Sequence, residues 1–109
     1  MFKMNKKQNN VTEELDSIIL SVIKGIERVQ RQYYISYYKN GRVVIYLWTL
    51  KKASVLYFKD TKNIMTDVSD DIPKGLTEGF NRKIIISVNE DIKKAKDAIK
   101  SYSAAYLND

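Results

Sequence analysis

Apolar residues recur at every third or fourth position from Val11 to Val29, which is the spacing of one buried face of an α-helix. Asn10 and Glu13 resemble a capping box, so the helix is predicted to begin at Asn10. A second helix is predicted after Asn89, because apolar residues again recur at helical spacing there. The residues of its predicted buried stripe are Ile92, Ala95, Ile99, Tyr102 and Tyr106.

Alternating or continuous apolar runs between the two helices predict four β-strands. These strands are Tyr33–Lys39, Arg42–Thr49, Ser54–Asp60 and Arg82–Val88. The stretch Thr61–Asn81 holds the only proline and is predicted to be a loop with one helical turn near Asn63–Val68. The order α-β-β-β-(loop)-β-α predicts one α+β domain over residues 10–109, with a four-stranded, mainly antiparallel sheet packed by two helices. Residues 1–9 are predicted to form a flexible basic tail.

The dipeptide Asn40-Gly41 predicts a tight hairpin between the first two strands, since both residues accept the positive φ of a type I′ turn. A two-residue turn followed by unbroken pairing fixes the register of the strands. The resulting pairs are Lys39 with Arg42, Tyr37 with Val44, Ile35 with Tyr46 and Tyr33 with Trp48. Because side chains alternate between faces, these eight residues are predicted to share one face that is aromatic with a cationic tip.

The aromatic face and the lysines of the next turn form the candidate binding site. Its predicted members are Tyr33, Tyr37, Lys39, Arg42, Tyr46, Trp48, Lys51 and Lys52. Aromatic rings stack on unpaired bases while nearby cations neutralise phosphates, so the set suits nucleic acid. Tyr, Trp and Arg also anchor protein interfaces, so a protein partner or a homodimer fits the same residues. In a further interpretation, a helix covers this face and its aromatic residues belong to the core.

The charge of the chain is uneven. Nineteen Lys and Arg residues against thirteen Asp and Glu residues give a formal net charge of +6. Residues 1–59 carry eleven basic and four acidic side chains, net +7, while residues 60–109 carry eight and nine, net −1. A basic half favours an anionic partner such as nucleic acid. Fifteen of the nineteen cations are Lys, however, and that composition also fits solvated side chains without a phosphate partner.

Residues that commonly carry catalysis or bind metals are sparse, because the chain has no histidine and no cysteine. The usual general base, the commonest transition-metal ligand and thiol chemistry are therefore missing. Asp60-Thr61-Lys62 resembles a metal-nuclease pattern, but no second acidic residue occurs between Glu27 and Asp60 to complete it. We therefore expect a non-enzymatic protein with no cofactor and no metal site.

Targeting and membrane segments are not expected either. Met1–Asn10 contains lysines but no apolar stretch behind them, unlike a signal peptide. The most apolar stretch, Leu15–Val29, is interrupted by charged residues and does not suit the interior of a bilayer. We expect a cytoplasmic protein without a membrane partner.

Six short motifs lie between about Tyr33 and Tyr106. They are Tyr34-Ile35-Ser36-Tyr37, Leu56-Tyr57-Phe58, Asp67-Val68-Ser69, Ile84–Ser87, Asn89-Glu90-Asp91-Ile92 and Ala98-Ile99-Lys100-Ser101-Tyr102. Together they resemble a bacterial family of domains of unknown function, often appended to restriction-type or NucS-like endonuclease chains and sometimes labelled "predicted transport protein". That family usually has a Gly-His-Trp-Gly-like turn before its fourth strand, whereas Gly75–Phe80 keeps the glycines and lacks the His and the Trp.

The resemblance implies an accessory module of nucleic-acid processing or restriction-type defence, without a catalytic role. On this hypothesis the module binds nucleic acid or its machinery through the basic aromatic hairpin. One alternative is a small inhibitor, of phage or mobile-element origin, that binds a host nuclease or defence protein. Another is a homodimeric structural protein in which the aromatic faces bury each other.

Overall fold

The structure, a computed structural model, describes residues 10–72, 79–87 and 92–107. Its two helices are α1 (Asn10–Val22) and α2 (Lys93–Tyr102), and a π-helical turn, Ser103–Leu107, continues α2. Its strands are β1 (Glu27–Gln30), β2 (Tyr34–Lys39), β3 (Arg42–Thr49), β4 (Ala53–Phe58), β5 (Asp70–Asp71) and β6 (Arg82–Ser87). The chain is α+β, as the sequence predicts. The predicted basic tail and the predicted helix start at Asn89 lie outside the described residues.

The six strands form one antiparallel sheet in the order β1-β2-β3-β4-β6-β5. The prediction of a four-stranded sheet is therefore wrong in strand number, although all four predicted strands form. The two additional strands are the edges of the sheet. Each edge carries exposed charged residues: Glu27 and Arg28 in β1, and Asp70 and Asp71 in β5.

Both helices pack on one face of the sheet and build the hydrophobic core there. The fully buried strand residues of this face are Ile35, Tyr37, Ile45, Leu47, Leu56 and Phe58. Thr12 of α1 and Ser54 of β4 share a hydrogen bond across the interface, so two buried hydroxyls satisfy each other. The predicted stripe of α2 is confirmed, because Ala95, Ile99 and Tyr102 are buried. We call the opposite side of the sheet the open face, since neither described helix packs on it.

The hairpin turn forms at the predicted dipeptide. Asn40 and Gly41 have φ values of 55° and 79°, and Lys39 pairs with Arg42 as predicted. The register then shifts, because Tyr38 pairs with Val43 while Tyr37 pairs with Ile45, leaving Val44 as the extra residue of a β-bulge. The other three predicted pairs are therefore wrong. A slip of one residue moves every following side chain of one strand to the opposite face relative to its neighbour.

The first helix is shorter than the apolar spacing suggests. It ends at Val22, and Gly25 adopts a φ of 74° in the turn that follows. Positive φ at glycine is a common way to end a helix, because a Cβ atom would be strained there. Ile23 is buried in the core, and Val29 lies in β1. Within the described ranges, neither helix is long and apolar enough to cross a membrane.

Arg82 fastens the loop before β5 to the sheet. Its guanidinium donates hydrogen bonds to the Ser69 hydroxyl (2.8 Å), to the Ser69 and Thr66 carbonyls and to the Asp71 carboxylate. The residue is only 8% exposed, so these contacts replace its hydration. Replacement of one buried arginine therefore removes several charge-assisted hydrogen bonds together.

We expect Arg82→Leu to lower the free energy of unfolding by about 3 kcal/mol, because the loop carbonyls lose their donors while Asp71 stays solvated. Urea unfolding followed by circular dichroism measures the change. Arg31→Leu, which alters an exposed arginine between β1 and β2, is the matched control and should shift stability by less than about 0.5 kcal/mol. Equal losses in both variants would contradict the role of Arg82.

Candidate nucleic-acid interface

Four aromatic rings form a continuous row on the open face. Trp48 stacks on Tyr34 with ring centroids 4.5 Å apart and planes at 19°, and Tyr34 meets Tyr46 edge to face at 5.6 Å. Tyr46 in turn contacts Phe80 at 4.8 Å. We call Trp48, Tyr34, Tyr46 and Phe80 the aromatic row. It crosses β3 and β2 and ends on the segment that leads into β6.

The bulge in the hairpin creates this row. The shifted register places Tyr34 directly opposite Trp48 and Ser36 opposite Tyr46. Both Tyr34 and Trp48 therefore point to the open face, together with Tyr46 two residues before Trp48. The three rings of β2 and β3 are half-buried, so part of each ring surface faces solvent, whereas Phe80 is buried at 6% exposed and packs against Tyr46. Next to Trp48, the row continues through Val55, which is buried at 5% exposed, to Ile85, which is 49% exposed.

A basic cleft lies at one end of the sheet, between the hairpin tip and the C-terminal helix. Its volume is about 540 Å³, within the usual range of ligand sites. The residues that matter for its chemistry are Lys39, Asn40, Arg42, Lys59, Thr61 and Tyr106. The described lining contains three cations and neither Asp nor Glu. An anion entering it thus meets positive charge on several sides.

Lys59 connects the cleft with the aromatic row. Lys59 is one of the residues that line the cleft, and its ammonium lies 5.1 Å from the centroid of the Phe80 ring. Lys39 is held at the tip by donating from Nζ to the Lys24 carbonyl, beside Gly25. The ion pairs that the described residues form are Arg28 with Asp16 and Arg82 with Asp71. Neither pair uses a cation of the cleft.

A second cationic group lies at the opposite end of β3. Lys51 and Lys52 occupy the exposed turn between β3 and β4, which is closed by a 2.8 Å hydrogen bond from the Leu50 N–H to the Ala53 carbonyl. Trp48 lies just before this turn. The eight residues of β3 span about 27 Å at the usual rise of a strand. The aromatic row therefore has lysines at one end and the basic cleft at the other.

The structure separates the residues that the sequence groups into one site. Tyr46 and Trp48 lie in the aromatic row, Lys39 and Arg42 line the cleft, and Lys51 and Lys52 lie in the exposed turn after β3. Tyr37, by contrast, is fully buried on the helix side. Its predicted place beside Tyr46 and Trp48 is wrong because the bulge reverses the faces. Tyr33 precedes β2, is 50% exposed and lies outside the row.

Tyr37 links α1 to the sheet instead. Its hydroxyl donates a 2.6 Å hydrogen bond to Asp16, which also accepts a 3.0 Å bond from Arg28 of β1. Burial, followed by the hydrogen bond to Asp16, raises the pKa of Tyr37 far above its ordinary value. The hydroxyl therefore stays protonated and serves as a donor. This cluster holds a helix and two strands together, which is a structural role.

Asp60, the acidic member of the nuclease-like motif, is also structural. It is 1% exposed, and its carboxylate accepts hydrogen bonds from the backbone N–H groups of Ile64 and Met65 and from the Tyr106 hydroxyl. Burial raises the pKa of Asp60, but the hydrogen bonds from Tyr106, Met65 and Ile64 outweigh it and leave the pKa below its ordinary value of 3.8. Asp60 thus anchors the π-helical turn that walls the cleft.

The sequence does not mark Tyr34, Phe80 and Lys59 as residues of the site. Unbroken pairing puts Tyr34 on the other face, and Phe80 lies in a predicted loop. Cross-strand aromatic pairing does not distinguish the two registers, because unbroken pairing sets Tyr33 opposite Trp48 and the slip sets Tyr34 there. The position of Phe80 against Tyr46 has no signal in the sequence either.

Comparisons of the chain with protein-family models, with curated proteins and with solved structures find no match. The resemblance to the endonuclease-associated family therefore stays a prediction from the sequence motifs. The function proposed below therefore rests on the geometry of the aromatic row and of the basic cleft.

Proposed function

We propose that this protein is a non-enzymatic module that binds single-stranded nucleic acid across the open face of its sheet. The observation that carries the proposal is the aromatic row with cations at both of its ends. Lys51 and Lys52 lie in the turn at the Trp48 end of β3, while the Lys59 ammonium lies over Phe80, and Lys59 is also one of the cleft residues.

The physical basis is the complementarity between the row and an unpaired strand. Every base has a π-face, so stacking on Tyr, Trp or Phe rings contributes about 1–3 kcal/mol per base with little dependence on sequence. Backbone phosphates are neutralised by Lys and Arg, which releases condensed counterions. The row is too flat to read base edges in a duplex groove, so single strands suit it better than duplex.

The cations favour nucleic acid over a protein partner. A protein interface of aromatic anchors is typically depleted of Lys at its centre and gains little from exposed charges. Here lysines occur at both ends of the row, and the described ion pairs leave them free of carboxylate partners. A small inhibitor that binds a nuclease or defence protein through the same rings remains the competing function, and the salt dependence of binding distinguishes the two.

The biological setting that we propose follows the sequence motifs. Their resemblance to domains appended to endonuclease chains supports a role as an accessory module in nucleic-acid processing or restriction-type defence. In such a role the module holds a strand or recruits its processing machinery while another protein performs the chemistry.

We expect Trp48 fluorescence to be quenched saturably when a single-stranded oligothymidylate is titrated into the protein. The affinity should fall steeply with salt, with a slope of about −0.7 in log K against log [salt] per neutralised phosphate. Duplex DNA of the same length should bind more weakly. Trp48 is the only tryptophan of the chain, so the signal reports the row directly.

The control compares a double charge reversal at the Trp48 end of the row with a double charge reversal on α2. Lys51→Glu with Lys52→Glu should weaken binding and reduce the salt slope, while Lys96→Glu with Lys100→Glu, on the exposed side of α2, should change it much less. Absence of quenching by any oligonucleotide at low salt would refute the proposal. Affinity that is insensitive to salt would favour a protein-type interface.

A further inference from the structure

The basic cleft differs from the other cationic surfaces of the protein because it is concave and closed on one side. Tyr102 and Tyr106, which belong to α2 and the π-helical turn, form its wall. Tyr102 donates a 3.3 Å hydrogen bond to the Val44 carbonyl, and Tyr106 is bound to Asp60 and to the Lys62 N–H. Both tyrosines are therefore fixed, and the wall is anchored to the sheet at two points.

The cleft also continues the aromatic row. Lys59 contacts Phe80, the last ring of the row, and the same lysine lines the cleft. A nucleic-acid strand on the row reaches Lys59 at the end of the sheet and turns around that end to meet Tyr102 and Tyr106, which belong to the helix side. The cleft therefore suits the end of a nucleic-acid strand better than its middle.

The charge of the cleft matches a strand end that carries a phosphate. A terminal phosphomonoester carries about −1.5 to −2 charges near neutral pH, whereas each internal phosphate carries one. Arg42, Lys39 and Lys59 are the cationic residues of the lining, although the Lys39 ammonium also donates to the Lys24 carbonyl and that of Lys59 lies over Phe80. Asn40 and Thr61 add polar groups that can donate hydrogen bonds. No Asp or Glu is among the described residues that line the cleft, and the negative charge of Asp60, behind the Tyr106 wall, is partly offset by the hydrogen bonds that its carboxylate accepts.

We propose that the basic cleft binds the terminal phosphate of the nucleic-acid strand whose bases stack on the aromatic row. This inference rests on the proposed function and adds to it a preference for phosphorylated ends. Arg42 is the principal ligand, because its planar guanidinium binds two phosphate oxygens at once. Lys39, the last residue of β2, and Lys59, which follows β4, add positive charge around the phosphate.

The test compares pairs of fluorescent oligothymidylates that differ only in a terminal phosphate. One pair has a 5′-phosphate or a 5′-hydroxyl with the dye at the 3′ end, and the second pair has the reverse arrangement. We expect a phosphate at one of the two ends to tighten binding about tenfold, as a charge-assisted contact does. Arg42→Gln should abolish this difference. Lys52→Gln, the matched control at the other end of the sheet, should weaken both members of a pair equally and keep the difference.

Each outcome separates this inference from the proposed function. Equal affinity for phosphate and hydroxyl ends would overturn the end preference while leaving strand binding intact. A preference that persists in Arg42→Gln would move the phosphate site out of the cleft. If thymidine 5′-monophosphate displaced the labelled strand as strongly as the phosphorylated oligonucleotide does, the cleft would be a site for a free nucleotide. Absence of oligonucleotide binding at low salt would overturn both proposals.

Discussion

Asp60→Ala is expected to lower the free energy of unfolding by about 4 kcal/mol. The substitution leaves the backbone N–H groups of Ile64 and Met65 and the Tyr106 hydroxyl without their acceptor in a buried position. Each buried donor that loses its partner costs about 1–3 kcal/mol. Urea unfolding at neutral pH measures the loss. Asp67→Ala, which removes an exposed carboxylate of the same loop, should change stability by less than about 0.5 kcal/mol.

The same carboxylate gives the stability a defined dependence on pH. The pKa of Asp60 is lower in the folded protein than its ordinary value of 3.8, so the unfolded chain binds the proton more readily. The stabilisation is therefore complete above that value and is lost as the pH falls through the folded pKa. Asp60→Ala should show a shallower loss of stability in acid than the parent protein. Parallel acid limbs in the two proteins would contradict this assignment.

Replacing either inner tyrosine of the aromatic row is expected to weaken single-strand binding about tenfold. Tyr34→Leu and Tyr46→Leu each remove one stacking surface while keeping an apolar side chain against the sheet, and one stacked base contributes about 1–3 kcal/mol. Fluorescence anisotropy with a labelled oligothymidylate measures the affinity. Thermal unfolding of each variant shows whether the fold is retained.

Tyr33→Leu is the matched control, because it makes the same chemical change at an exposed tyrosine outside the row. It should leave the affinity within about twofold of the parent protein. This comparison also decides between two registers, since unbroken pairing puts Tyr33 opposite Trp48 and the structure puts Tyr34 there. A larger loss from Tyr33→Leu than from Tyr34→Leu would refute the row as a binding surface.

The sequence predicted the elements of the fold where a physical signal is local. The positive φ values of Asn40 and Gly41, the pair of Lys39 with Arg42 and the buried stripe of α2 all follow from turn chemistry and periodicity. The first helix is predicted to be longer than it is for a different reason. Apolar residues at 23, 26 and 29 continue the helical spacing by coincidence, and the glycine that ends the helix lies among them.

The candidate site was predicted less well, because one unpaired residue decides which rings share a face. Val43, Val44 and Ile45 are three consecutive apolar residues, so no alternation in that stretch marks the bulge. Tertiary contacts determine the position of the bulge: Val44 packs against the core, and its carbonyl accepts a hydrogen bond from the Tyr102 hydroxyl. The basic cleft was equally hidden, since it joins the hairpin tip to a helix about sixty residues later in the chain.

The two edges of the sheet affect how readily copies of this protein add strands to one another. A sheet with half-exposed rings would readily add strands from other copies if its edges offered long, uncharged backbone. The β1 edge is only four residues long and begins with Glu27 and Arg28, and on the other side Asp70 and Asp71 of β5 pair with Arg82 and Lys83 of β6. Another copy that approaches β1 or β5 must desolvate charge before it gains a hydrogen bond. These two short charged strands therefore disfavour strand addition at the positions that they occupy, close to the half-exposed rings.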